Sequence, residues 1–200
     1  MKKAYRIILV VISAILVVWG ALTIWVEMPG PARQTQFGNP SASLSALVVY
    51  DPDPIYNLDE QLCNAFAVSL SEHDIYTTVA TVKAAGQLTN TDHDLYLFCA
   101  NTYNWRPDRA IGNYIKEHPS LKSKTVVALT LGSGSTQQAK DVFDKIIKGT
   151  GANLIDSRTL WLLRPNDETR MEEPNVDVAI SMTKEWAHEI AKRINTVSNL

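Results

Sequence analysis

The chain of 200 residues is 46% hydrophobic and 20% charged, with nine Gly and nine Pro, which excludes collagen-like, low-complexity and wholly disordered classes. A formal net charge of -2 argues against a nucleic-acid binder that works by neutralising phosphates. Two cysteines, Cys63 and Cys99, cannot build a disulfide scaffold, and His73, His93, His118 and His188 share no metal-ligand spacing.

The first segment is an uncharged run of twenty residues, Ile7 to Val26. As a helix it is roughly 30 Å long, the thickness of a bilayer's hydrocarbon core. A cleaved signal peptide is the rival reading, but its apolar core is normally about 7–15 residues. Gly30-Pro31-Ala32 is also a poor small-x-small cleavage site. Residues 1–26 are therefore expected to be a single transmembrane anchor. Lys2, Lys3 and Arg6 precede the span and only Arg33 follows closely. The positive-inside rule then puts the N-terminus in the cytoplasm and the domain outside the cell membrane. Residues 27–43, rich in Pro, Gly, Ser and Gln, read as a flexible tether. Four of the basic residues and one acidic residue precede Leu44, leaving 15 Lys and Arg against 20 Asp and Glu in 44–200. That domain is acidic.

From Leu44 the pattern alternates. Apolar or β-branched runs at Leu44–Tyr50, Ile75–Val82, Leu95–Ala100, Thr125–Leu131 and Leu154–Leu163 predict five strands. Between them, helical stripes run through Leu58–Leu70, Asp108–Glu117 and Ala139–Ile147, and a closing helix carries Ala179, Trp186, Ile190 and Ile194. Strands that are apolar on both faces, separated by amphipathic helices, predict an α/β doubly wound parallel sheet of order 2-1-3-4-5. Ligands of such sheets sit beyond the carboxyl ends of the strands. The candidate site is thereby confined to three loops, 51–57, 100–107 and 132–136.

The loop after the third strand reads Asn101-Thr102-Tyr103-Asn104-Trp105-Arg106-Pro107, and the loop after the fourth reads Gly132-Ser133-Gly134-Ser135-Thr136. With the strand order and element lengths from Leu44 to Ile194, these loops resemble those of the flavodoxin family, in a form with an N-terminal membrane anchor. The resemblance implies a flavodoxin-like fold, FMN as cofactor, electron transfer, and a redox partner protein. It also implies a ring site at Thr102, Tyr103, Asn104, Trp105, Gly132, Ser133, Gly134 and Ser135. Tyr103 and Trp105 would stack on the flavin ring, and amides near Ser133 and Gly134 would meet its carbonyl edge. In the bland alternative, Trp105 packs on a neighbouring helix and the Gly/Ser run caps the next one.

The first loop departs from the family. Asp51-Pro52-Asp53-Pro54-Ile55-Tyr56-Asn57 has no Gly, Ser or Thr where flavodoxins hold the phosphate at a helix N-terminus. Two prolines lack amide donors and two carboxylates repel a phosphate. Asn57 and Glu60 are spaced as a capping box. Asp51 and Asp53 supply only two carboxylates for a metal, and Ser133 or Ser135 has no evident base for hydrolysis. Cys63 and Cys99 read as buried thiols. A cofactor-free module that binds a protein partner or small ligand at the same loop face is the second functional reading.

Overall fold

The computed structural model describes residues 2–118 and 121–198. It opens with a 25-residue helix, α1 (Lys2–Val26). The most apolar stretch of Lys3–Val26 is not buried against the rest of the protein. Length and composition are those of a membrane-crossing helix.

The remaining elements are β1 (Gln34–Phe37), β2 (Leu44–Tyr50), α2 (Leu58–Ser71), β3 (Ile75–Thr81), α3 (Val82–Ala85), β4 (Leu95–Tyr103) and β5 (Arg106–Pro107). They continue as α4 (Arg109–Glu117), β6 (Thr125–Gly132), α5 (Gln137–Gly149), β7 (Asn153–Trp161) and α6 (Asn175–Ser198). Strands β3, β2, β4, β6 and β7 pair in parallel in that spatial order. This is the expected 2-1-3-4-5 arrangement.

Two further strands enlarge the sheet to seven. Within the stretch read as a flexible tether, Gln34–Phe37 pairs antiparallel with Thr77–Ala80 at the sheet edge. The expectation of a tether over all of 27–43 is corrected there. Gln-Thr-Gln-Phe has no apolar alternation to betray it, because an edge strand is held by backbone pairing and needs little burial. Arg33 ties the same segment down, its amide donating to the Thr81 hydroxyl at 3.0 Å while the Thr81 amide donates to the Arg33 carbonyl. The second addition, β5, folds back on the end of β4 as a two-residue ribbon.

Side chains alternate across the sheet, so β2 sends Ala46, Val48 and Tyr50 into one core and Leu47 and Val49 into the other. The first core lies under α2 and α6, where Phe66 meets Trp186 edge-on with ring centroids 5.1 Å apart. The second lies under α4 and α5 and contains Ile111, Ile115, Phe143 and Ile147. Cys63 and Cys99 are buried free thiols in the first core, and burial pushes the Cys63 thiol well up. Together the two layers fix the carboxyl ends of β2, β4 and β6 at one end of the domain.

Candidate functional site

At that end lies a mostly apolar cleft of about 310 Å³. Its wall includes Thr102 and Tyr103 from the end of β4, Gly132 and Ser133 from the end of β6, and Leu162 beyond β7. Ile55, Tyr56 and Asp53 come from the loop after β2, and Val26 from the last turn of α1. Of the eight expected site residues, Thr102, Tyr103, Gly132 and Ser133 line the cleft, whereas Asn104, Trp105, Gly134 and Ser135 do not.

Local backbone geometry explains the split. Asn104 and Trp105 both have positive φ, 48° and 60°, and join β4 to β5 as the two central residues of a tight hairpin. Such a turn suits the right-handed twist of the strands. It also turns the Trp105 ring away from Tyr103, leaving it 55% exposed. An aromatic pair at i and i+2 therefore does not close on one ring from both sides here. Gly132, by contrast, is required by the chain's own packing: a Cβ there would collide with Thr136 Cγ2 and crowd the Thr102 side chain. The carbonyls of Gly132 and Ser133 accept from the amides of Leu162 and Arg164, at 2.9 and 3.2 Å. The amides of Ser133 and Gly134 have no protein acceptor among the described residues. Thr102 Oγ1 is buried at the cleft wall without a partner.

The loop after β2 is arranged differently. Asp53 Oδ1 accepts from the amides of Ile55 and Tyr56, at 2.7 and 2.9 Å, and Tyr103 donates its hydroxyl to Asp53 Oδ2 at 2.7 Å. Asp59 accepts from the amides of Asp53 and Glu60, both at 2.7 Å, and from Asn101 Nδ2 at 2.9 Å. Asp51 Oδ1 accepts from the Gly30 amide at 2.9 Å. The capping box expected from Asn57 and Glu60 does not form: the Asn57 side chain accepts from Gln61 Nε2, and Asp59 serves the first turn of α2. The sequence places Asp59 in the capping turn, where acids of the chain take helix-start amides, but its pairing with Asn101 was not readable because the two lie 42 positions apart.

Three carboxyls here are almost completely buried: Asp51, Asp59 and Asp108. Burial raises Asp51 and Asp59 to about 6, against the lowering effect of the amide bonds each accepts. Asp108 caps α4 by accepting from Ala110 and Ile111, yet burial, reinforced by the charge of Asp51, lifts it to about 7. The Tyr103 hydroxyl is likewise pushed far up by burial and by its bond to Asp53. Desolvation outweighs hydrogen bonding at all three acids.

No family profile matches the chain, and no curated protein sequence matches it significantly. Solved structures do. A flavodoxin from the domain Archaea superimposes with a TM-score of 0.51 at 10% identity, over 76% of this chain and 99% of that one. A short-chain flavodoxin associated with a non-canonical PDU bacterial microcompartment gives 0.54 at 20% identity, over 76% and 99%. The fold is flavodoxin-like. The flavodiiron protein from Giardia intestinalis gives 0.60 at 15% identity, and there the flavodoxin-like match covers 76% of this chain but 36% of that one.

FMN, the group this fold implies, meets two unlike halves of the flavodoxin-like site. The ring half is compatible with a flat group: the cleft is mostly apolar, and Thr102, whose buried hydroxyl has no partner among the described residues, stands in its wall. The phosphate half does not fit. Amides that could face a phosphate at the start of α2 already bond Asp53 and Asp59, and Asp53 itself stands where an anion would be cradled.

Proposed function

We propose that the protein is a membrane-anchored flavodoxin-like module whose loop-face cleft binds a flavin-type ring without using a phosphate. The observation that carries this is the Asp53 carboxylate, which accepts from the Ile55 and Tyr56 amides and the Tyr103 hydroxyl. Thr102, Tyr103, Gly132 and Ser133 are the residues that would contact the ring. A bound flavin supplies one- and two-electron transfer, which makes a redox protein in or at the membrane the natural partner. Within the site, Asp53 fixes the orientation of Tyr103, and Leu162 and Tyr56 line the cleft that would hold the ring.

The flanking charges Lys2, Lys3 and Arg6 favour a cytoplasmic N-terminus and an extracytoplasmic domain. Protease added to intact cells then removes the domain; survival until lysis reverses the orientation. The filled phosphate position also favours a second reading, a cofactor-free module that binds a partner or small ligand in the same cleft.

Titration of the full chain in detergent with riboflavin and with FMN, followed by flavin fluorescence, separates the readings. Comparable affinity for both is expected. Binding of neither at high micromolar concentration removes the flavin and leaves the cofactor-free module. A strong preference for FMN shows that the phosphate is held despite Asp53.

A further inference from the structure

The β4–β5 hairpin and the membrane helix are joined by a specific set of bonds. Trp19 Nε1 donates to Asn104 Oδ1 at 3.2 Å, and Asn104 Nδ2 donates to Thr23 Oγ1 at 3.2 Å. One turn further, Glu27 pairs with Arg109 at 3.1 Å. Trp19 and Thr23 are four apart on one face of α1, and Glu27 follows four residues later, just past its end. The hairpin therefore lies along the helix, pointing back toward its N-terminus.

That direction fixes a depth. From Val26, the last helical residue, back to Trp19 is about 10 Å of helix axis. The headgroup zone on one side of a bilayer is only about 5–8 Å thick. All 25 residues of α1 are about 37 Å long, the hydrocarbon core plus one headgroup zone, so with Lys2 and Lys3 at the far boundary Val26 lies at the water surface and the tip of the hairpin reaches the boundary between headgroups and acyl chains. The chemistry at the tip agrees. The Asn104 amide is satisfied on both its oxygen and its nitrogen by helix side chains rather than left to water, as a polar group at such a depth requires. Trp105, the other tip residue, is exposed, and an indole prefers that boundary. Arg106 follows it and suits anionic headgroups. Ile55, at 63% exposure, and Tyr56, at 52%, flank the mouth of the cleft on the same face, which Val26 helps to line.

We propose that the Asn104–Trp105 hairpin is a second membrane contact, inserted beside α1 at the headgroup–acyl boundary, which seats the carboxyl-end face of the sheet on the bilayer. The proposal rests on reading α1 as a membrane span. The occupant of the exposed apolar rim is the lipid surface that the span itself enters, and the mouth of the cleft faces it.

The test uses the full chain in phosphatidylcholine vesicles containing phosphatidylglycerol. Single cysteines are introduced for a small polar fluorophore, the native Cys63 and Cys99 being buried. Trp105→Cys reports the hairpin, Ile15→Cys the middle of the span, and Lys148→Cys the opposite end of the domain. Lipids carrying a nitroxide on the upper acyl chain should remove most of the emission at position 105 and leave position 148 unchanged. A nitroxide deep in the acyl chain should quench position 15. Emission at position 105 as bright as at 148, with position 15 quenched, overturns the seating and leaves the span intact. An unquenched label at position 15 shows that α1 is not in the bilayer, and both readings fall together.

Discussion

The two walls of the cleft deal with their backbone amides in opposite ways. In the loop after β2, the amides of Asp53, Ile55, Tyr56 and Glu60 all end on carboxylates of the chain itself. In the loop after β6, the amides of Ser133 and Gly134 remain open, and the Thr102 hydroxyl beside them has no partner. An internal anion makes the first wall self-sufficient, whereas in the second wall the chain supplies no acceptor for these amides among the described residues. Two loops at one end of a flavodoxin-like sheet thus differ in how far their backbone is satisfied internally, and fold alone does not set that difference.

The comparison breaks most visibly at Asp59. Asp59→Ala strands two loop amides and Asn101 Nδ2, and should cost about 3 kcal/mol in denaturant unfolding, since buried donors lose charge-assisted partners. A loss below about 1 kcal/mol means that water reaches these donors and the wall is not self-sufficient.

Next in size is the pH dependence contributed by Asp108. Its folded pKa lies above the ordinary carboxylate value, so the folded state holds the proton more tightly than the unfolded chain does. The charged form therefore bears its full cost at pH 8, and that cost fades as pH falls through about 7. Asp108→Asn keeps a capping acceptor and cannot ionise. It should be more stable than the wild type at pH 8, with the gap narrowing by about 1.4 kcal/mol by pH 6. Comparing the two proteins at each pH cancels the opposing contributions of His93 and His118, which burial pushes down. A gap that is constant with pH shows Asp108 to be an ordinary acid.

Asp53→Ser sharpens the contrast between the walls. Removing the internal anion frees the Ile55 and Tyr56 amides and takes away a repelling charge. The affinity ratio of FMN to riboflavin should rise about fivefold, roughly 1 kcal/mol. An unchanged ratio places the phosphate elsewhere.

The smallest effect is expected at the hairpin. Trp105→Gly relieves a positive φ at a bulky residue but adds freedom to the unfolded chain, for a net gain of roughly 0.5–1 kcal/mol. Because Trp105 does not line the cleft, riboflavin affinity should stay the same. A several-fold loss would bring the indole back into the ring site.

Much of this molecule is legible in its sequence for a physical reason. Strands buried on both faces, such as Leu44–Tyr50 and Thr125–Gly132, must be apolar throughout, and the stripe Ala139, Phe143 and Ile147 must recur at helical spacing. Edge strand β1 escapes notice because its polar residues are held through their backbone. In the site, what was readable is chain-local: Thr102, Tyr103, Gly132 and Ser133 stand at the carboxyl ends of β4 and β6, because the apolar runs fix where those strands end. What was not readable depends on long-range geometry. The left-handed hairpin turns Trp105 outward, Asp59 reaches Asn101 across the loop face, and Val26 arrives from the end of α1 to line the cleft.

Strand β1 also determines how the domain bears mechanical load. It runs antiparallel to β3, with Gln34 opposite Ala80 at the carboxyl end of the sheet and Phe37 opposite Thr77 further in. A pull on α1 that reaches β1 along its axis strains the four residue pairings together in shear instead of peeling them open one at a time. The Asn104 bonds to Trp19 and Thr23 and the Arg109–Glu27 pair come ahead of it in the chain, so β1 is a lap joint behind a clasp.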